Sequence, residues 1–458
     1  MWAMRKIIDF FNSKLSLFKL ERVLAVLILL GLSFFLRVFR LDYPPEPYFD
    51  EVYHLPAVRL IKNNDPRAYE WWHAPIYGQH HFDWLHPPLA KLIQAGSVSL
   101  FGWKAWAWRL PSALAGTLLV GAVYWVANLI FKELFKQKEN SSLQAHQAAL
   151  LAALLTSIEG LVLVQSRVAM NDVFVSLFMV LSAGLFLKSL RKACLGHKRA
   201  QLFYLLLTGL SLGLGLATKW SAGLLLSGIV LVQAGITLKQ QKWRWLPFTF
   251  FSLLLLPLAI YLLSYAQMFL QGKNLGHFWQ LHQQIFWYQT HREAGHLYAS
   301  QPWQWFLNLR PVWYWHEKFS QANQVSNIYA LSNPILTLLT VPALLMMGWR
   351  LGQALLDKKE LKVSFNLAYL LGVYLVSWVP WIFSPRVMFF YHYLPALPFL
   401  MIIISYFLWR LKTDSELSFW STLTLISLGF IMFYPHWVGL PVSKTWVEAV
   451  YFSLETWK

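Results

Sequence analysis

The sequence predicts an all-α, multi-pass membrane protein, and three observations carry that reading. Hydrophobic residues make up 57% of the 458 and charged residues only 13%, whereas a soluble domain carries about 25% charged residues. The apolar residues gather into about eleven runs, each near the roughly 20 residues that a spanning helix needs. Finally, 39 Lys and Arg against 21 Asp and Glu give a formal charge of +18, and the cations cluster in alternate connections between the runs. Disorder and a coiled coil are excluded, and an ordinary soluble enzyme fits poorly.

The runs lie near 23–39, 107–131, 147–165, 170–188, 202–217, 221–238, 246–269, 332–350, 365–383, 388–409 and 418–434. The first follows Arg5, Lys6, Lys14, Lys19 and Arg22. It resembles a signal peptide, but no small-x-small cleavage site follows Val23–Phe35, so it reads as an uncleaved spanning helix. Later clusters are Lys132, Lys136 and Lys138; Lys188, Arg191, Lys192, Lys198 and Arg199; Lys239, Lys242 and Arg244; Arg350, Lys358, Lys359 and Lys362; and Arg410 with Lys412. The positive-inside rule makes these connections and the N-terminus cytoplasmic, and an odd number of spans then places the C-terminus outside. Cations divided among separate loops, with no single basic patch, argue against a nucleic-acid partner.

Two connections are long, 40–106 and 270–331, and both fall on the outer side. They are rich in Trp, Tyr and His, and only His146 and His197 of the 14 histidines fall on the cytoplasmic side. Long connections are uncommon unless they carry function. The first contains Leu89–Phe101, an apolar stretch with Lys91 inside it and too short to span, which reads as an interfacial or re-entrant helix. Trp103, Trp106 and Trp108 then mark the membrane boundary. No repeat divides the chain, and residues 1–458 read as one integral membrane domain. The single cysteine, Cys194, excludes an intramolecular disulfide and a Cys-rich zinc site.

The strongest local feature is Pro44-Pro45-Glu46-Pro47-Tyr48-Phe49-Asp50-Glu51. The prolines end the first helix. Val52, Leu55, Val58, Leu60 and Ile61 then predict an amphipathic helix with Asp50 and Glu51 at its N-terminus. The two carboxylates serve either as helix caps or as a general base at the membrane surface. In His86-Pro87-Pro88-Leu89-Ala90-Lys91, His86 and Lys91 either face a phosphate at headgroup depth or are an interfacial His beside a snorkelling Lys. Arg109, Glu159, Arg167, Asp172, Lys219 and Arg386 lie near or within spans, where charge is costly and usually lines a site. Arg167 with Asp172 is a candidate structural ion pair. Convergent Arg and Lys at one membrane face suit an anionic head group. His80, His81, Asp83 and His86 are close in sequence, but their spacing matches no metal-ligand pattern, so no metal ligand is assigned.

Several segments together resemble the protein O-mannosyltransferases. They are Asp50-Glu51, His86-Pro-Pro-Leu-x-Lys91, Arg109-Leu-Pro-Ser-Ala-Leu, Gln165-Ser-Arg-Val-Ala-Met-Asn-Asp172, Ala217-Thr-Lys-Trp-Ser-Ala-Gly223, Asn327-Ile-Tyr-Ala-Leu-Ser-Asn-Pro334 and Phe390-Tyr-His-Tyr-Leu-Pro-Ala-Leu-Pro-Phe399. The tail from Pro435 to Trp457 continues the likeness. The resemblance implies a GT-C-type glycosyltransferase of the bacterial plasma membrane, transferring mannose from a polyprenyl-phosphate carrier to Ser or Thr hydroxyls of proteins. It implies Asp50 as catalytic base, Glu51 placing the acceptor, and Arg109 supporting the acidic pair or the donor phosphate. Arg167 and Asp172 match the connection between the third and fourth helices, and Arg386, Tyr391 and His392 a donor-side region. His86, Lys91 and Lys219 join the same set. The lumenal β-rich domain of eukaryotic members does not fit within 270–331, which implies the bacterial branch and an undecaprenyl-type lipid. No cofactor is called for with certainty, and a divalent metal stays open.

Two other readings compete. One keeps the fold and moves the sugar to lipid A or another glycolipid. The other is a secondary transporter, but these carry charges near the midplane and repeated halves, whereas here the charges gather at one face.

Overall fold

The computed structural model describes residues 14–73, 82–136, 139–241, 243–291, 295–319 and 323–458. Arg5, Lys6, His80, His81, Lys138 and Lys242 lie outside the described residues. Long apolar runs become helices because a backbone surrounded by lipid must satisfy its own hydrogen bonds. In chain order the helices are α1 (Lys14–Val38), α2 (Glu51–Lys62), α3 (Leu89–Phe101), α4 (Ala105–Leu134), α5 (Ser141–Ser157), α6 (Gly160–Gln165), α7 (Asp172–Cys194), α8 (Lys198–Leu216), α9 (Ala222–Gln240), α10 (Leu246–Ser264), α11 (Leu275–Thr290), α12 (Pro334–Leu356), α13 (Leu361–Trp378), α14 (Leu397–Asp414) and α15 (Glu416–Val438), besides short single turns.

Among the described residues, eight helices are long and apolar enough to cross a membrane: α4, α7, α8, α9, α10, α12, α13 and α15. Helices α1, α5 and α14 occupy the other three expected runs. Helix α5 has only 17 residues, and α1 and α14 carry charges near their ends.

Two expected spans change shape. The run 147–165 is broken: α5 ends at Ser157, and Glu159 caps α6 by accepting from the Val162 amide at 2.7 Å. Glu159 is therefore a cap at a helix break, not a charge inside a span. The run 388–409 starts late, because Phe390–Tyr393 forms a 3₁₀ turn and α14 begins at Leu397. Pro398 fits the first turn of α14, and Pro395 has no amide to donate into a helix continuous with the preceding turn.

The centre of the bundle is α4, α5, α7 and α14, whose facing sides are buried. Helix α5 brings Ala145, Ala148, Ala149, Ala152 and Ala153 into it, all fully buried, as close helix approach in a membrane favours. Helix α8 lies against α10, where α10 widens into a π segment at Phe251–Leu255. A Cβ at Gly209 would stand 1.7 Å from the Ser252 carbonyl oxygen, so only glycine permits this contact.

The second long connection departs from an all-helical reading. It holds a hairpin of β1 (Val312–Phe319) and β2 (Gln324–Ala330), antiparallel from Val312 opposite Ala330 to Phe319 opposite Gln324. A short β3 (Val442–Ser443) pairs with Gln324 and Val325, giving the order β1-β2-β3. Aromatic and β-branched residues favour strands. The two long connections meet at one end of the bundle: Phe49 stacks on Tyr314 with ring centroids 3.7 Å apart, and the Tyr43 hydroxyl donates to Glu317.

Candidate active site

The segment before α2 is set by Phe49, whose φ of 52° is left-handed. That is an uncommon state for a bulky residue and a mark of a constrained site. The stack on Tyr314 and an edge contact with Tyr391 at 5.8 Å hold the Phe49 ring. Asp50 follows as N-cap of α2, yet its side chain makes no cap hydrogen bond to the helix. Asp50 is half-buried. Its charge reaches Tyr314: burial pushes that phenol well above its ordinary range, and Tyr391, Asp50 and Asp172 add to the effect. The Tyr314 hydroxyl in turn accepts from Gln165 Nε2 at 2.5 Å.

Glu51 is in a different position. It is 0% exposed and fully engaged. Oε1 accepts from Arg109 Nε at 2.9 Å and from the Ala169 amide at 2.8 Å; Oε2 accepts from Arg109 Nη2 at 2.8 Å and from the Tyr48 amide at 3.4 Å. Arg109 spends its remaining donors on the carbonyls of Leu41, Pro44 and Glu46. At 1% exposure its guanidinium holds Glu51 and the turn before α2.

Arg167 and Asp172 are not partners. Arg167 donates to the carbonyls of Leu36, Arg37, Phe39 and Arg40, closing the C-terminal end of α1. Such orphan carbonyls at a helix end favour a cation. Asp172, at the first turn of α7, instead pairs with Lys219 Nζ at 2.7 Å. Lys219 also lies 5.7 Å from the Tyr391 ring centroid.

His86 and Lys91 separate in the same way. Lys91 is buried, and its three protons go to the Asp83 carbonyl at 2.6 Å, the His86 carbonyl at 3.0 Å and Asp83 Oδ2 at 3.2 Å. It has no donor left for a phosphate. His86 donates from Nδ1 to Asp83 Oδ1 at 3.0 Å and borders a cavity of about 270 Å³ with Lys219, Arg386 and His392. Three elements far apart in sequence thus bring four of the expected residues to one opening.

Asp83 and Tyr314 were not singled out by sequence reasoning as site residues. Asp83 also accepts from the Leu85 amide and lies 3.4 Å from His54 Nδ1. Burial pushes its carboxyl up, but Lys91, His86 and His54 outweigh that and hold it well below the usual carboxylate range. Burial lowers the His86 imidazole, aided by Lys219 and Lys91 and opposed by Asp83. The signal for Asp83 was its place three residues before His86 and eight before Lys91. Tyr314 gave none, since its partner Phe49 is remote in sequence. Among the described residues, no group of three His, Cys, Asp or Glu is placed to hold a metal ion.

Two family models match most of the chain. Residues 27–271 match the family model described as dolichyl-phosphate-mannose-protein mannosyltransferase. Residues 274–457 match that of the C-terminal four-helix membrane region of protein-O-mannosyltransferase. The polyprenol-phosphate-mannose–protein mannosyltransferase of Mycobacterium tuberculosis is 24% identical, covering 90% of this chain and 86% of its own. That of Corynebacterium glutamicum is 23% identical over 78% of this chain and 76% of its own. Among solved structures, the Saccharomyces cerevisiae protein O-mannosyltransferase Pmt1-Pmt2 complex bound to the sugar donor superposes with a TM-score of 0.73 at 13% identity, covering 94% of this chain and 92% of that one. ArnT from Cupriavidus metallidurans bound to undecaprenyl phosphate gives 0.55 at 16% identity, covering 90% of this chain and 63% of that one.

Proposed function

The chain belongs to the dolichyl-phosphate-mannose–protein mannosyltransferase family, and from that premise we propose that it moves mannose from a polyprenyl-phosphate carrier to Ser or Thr hydroxyls of proteins, with Asp50 as the base. The fold is that of the GT-C glycosyltransferases, and the chain is a multi-pass membrane protein. The observation that carries the assignment of Asp50 is the contrast with its neighbour. Glu51 is enclosed, while Asp50 stands half-buried at the head of α2 with its charge acting on Tyr314 across the junction of the two long connections.

The chemistry is an inverting single displacement. A hydroxyl is a poor nucleophile at neutral pH, so Asp50 removes its proton as the oxygen attacks the anomeric carbon. The bond from that carbon to the phosphate oxygen breaks, and the lipid phosphate leaves with the electron pair. Lys219 and Arg386, at the cavity beside His86 and His392, stabilise the anion. One base and several cations suffice, unlike a glycosidase with two catalytic carboxyl groups. Glu51, Arg109, Arg167, Asp172 and Lys91 act as positioning residues. The reaction is placed at the extracytoplasmic face of a bacterial plasma membrane, because the long connections lie opposite the cation-rich ones.

Asp50→Asn keeps shape and removes the base. Purified protein given labelled lipid-linked mannose and a Ser/Thr-rich peptide should lose about 10²–10⁴-fold in transfer, with insertion and thermal unfolding unchanged. Wild-type transfer by that variant would sink the assignment. Label appearing only in lipid would move the acceptor to a glycolipid.

A further inference from the structure

His86 is the group at the Lys219–Arg386 cavity whose hydrogen-bonding sense the structure fixes. Its Nδ1 lies 3.0 Å from Asp83 Oδ1. Against the cost of burial, Lys91, His86 and His54 hold the Asp83 carboxyl well below the usual carboxylate range, so Asp83 is ionised and can only accept. The imidazole proton therefore sits on Nδ1. Burial lowers the His86 ring against the pull of Asp83, which keeps it neutral at neutral pH. A neutral imidazole carries one proton, so Nε2 is a lone-pair acceptor.

Nε2 is also reachable. Among the described residues it makes no hydrogen bond, and it is not enclosed. The His86 side chain is 23% exposed and borders the cavity of about 270 Å³. The ring is held in place before any ligand arrives. Lys91 Nζ donates to the His86 carbonyl at 3.0 Å, and Pro87 restricts the backbone of the residue before it. The neighbours at the opening do not share this fixed sense. Lys219 and Arg386 are cations and only donate. Gln289 and Ser384 line the same wall, but an amide or a hydroxyl turns to suit either sense. His392 Nδ1 lies near both the amide and the carbonyl of Phe389, which leaves its tautomer open.

A fixed acceptor selects for a donor. A phosphate joined to both a lipid and a sugar has no proton to give, so the two cations serve it and the Nε2 lone pair does not. The sugar on that phosphate carries several hydroxyls, each of them a donor. We propose that His86 Nε2 accepts a hydrogen bond from a hydroxyl of the sugar on the donor lipid, which makes His86 a residue that selects the glycosylated carrier and the sugar it bears. The inference rests on the mannosyltransferase reading. A sugar lacking this hydroxyl strips water from Nε2 and leaves it unpaired. After transfer the bare lipid phosphate no longer engages His86, so the bond favours substrate over product.

The test is calorimetric binding of polyprenyl-phosphate mannose, and separately of bare polyprenyl phosphate, to the full-length protein in lipid nanodiscs with no peptide present. The pH is about 8, above the second phosphate ionisation at about 6, so the bare phosphate has no proton to offer. His86→Asn keeps an amide at the Nδ1 position for Asp83 and has no atom at Nε2. It should weaken binding of the mannosyl lipid about tenfold. Binding of the bare lipid should be unchanged, which also shows that the cavity is intact. A second arm needs no variant. Among mannosyl lipids each lacking one hydroxyl, one should bind the wild-type protein about tenfold more weakly, and that lipid should not respond to His86→Asn. Failure of the mannosyl lipid to bind, equal weakening of both lipids, no weakening of the mannosyl lipid, or wild-type protein indifferent to every deoxy lipid would each overturn the proposal. The expected binding pattern without transfer of mannose to a peptide would instead remove only the function reading.

Discussion

Asp50 and Glu51 are neighbours in sequence and differ in circumstance. Arg109 and two backbone amides enclose Glu51, while Asp50 is half-buried at the N-cap of α2. Glu51→Gln removes one partner of a buried ion pair and should cost about 3–5 kcal/mol, since the Arg109 charge is then uncompensated. Thermal unfolding in detergent measures this, and an unchanged midpoint contradicts the enclosed role. Asp83 and His86 supply a pH dependence. Both are held below their ordinary values, so in each case the folded state binds fewer protons than the unfolded chain. Their stabilisation is present at neutral pH and is lost on acidification, first from His86 as pH falls below about 6.5 and then from Asp83 below about 3.8. The unfolding midpoint should therefore fall between about pH 7.5 and pH 5, and the fall should shrink in His86→Gln. A midpoint equal at both pH values would refute it. The sequence put Asp50 and Glu51 on the same footing because adjacency says nothing about which side chain is surrounded. It paired Arg167 with Asp172 on nearness, whereas carbonyls of α1 and the Lys219 ammonium are nearer in space.

At the scale of elements, spans were legible because each run is longer than any soluble core helix of comparable apolarity needs to be. Strands β1 and β2 were not, because two short segments inside a Trp- and Tyr-rich connection give only a brief alternation, which the prominence of the helices masked. The break at Glu159 and the late start of α14 were local matters of capping and proline, visible in principle but hidden by continuous hydrophobicity. One helix contact is testable directly. Gly209→Ala forces a methyl group against the Ser252 carbonyl and should destabilise the protein by about 1–3 kcal/mol through overpacking. Gly235→Ala, which meets nothing within 4 Å, is the control. Equal unfolding midpoints for the two variants would show that α8 and α10 do not depend on this approach.

For the whole molecule, charge placement predicts orientation. A phosphatase reporter active only outside the cytoplasm should be active when fused after Gln301 and inactive when fused after Asp414. The reverse pattern would invert the topology and move Asp50 to the cytoplasmic face. Composition and the apolar runs by themselves determined a helical multi-pass membrane protein, because the bilayer imposes length and hydrophobicity directly on the sequence, and the ordered motifs carried the family resemblance. Tertiary structure alone decided which of the motif residues face an opening. Lys91 and Arg109 look equivalent to Lys219 and Arg386 as isolated cations, yet Asp83 holds the first and Glu51 the second. The third lines the cavity with the fourth, even while paired to Asp172. The reason is desolvation: a buried charge must be met by partners drawn from distant elements, and only the folded chain specifies which partners arrive.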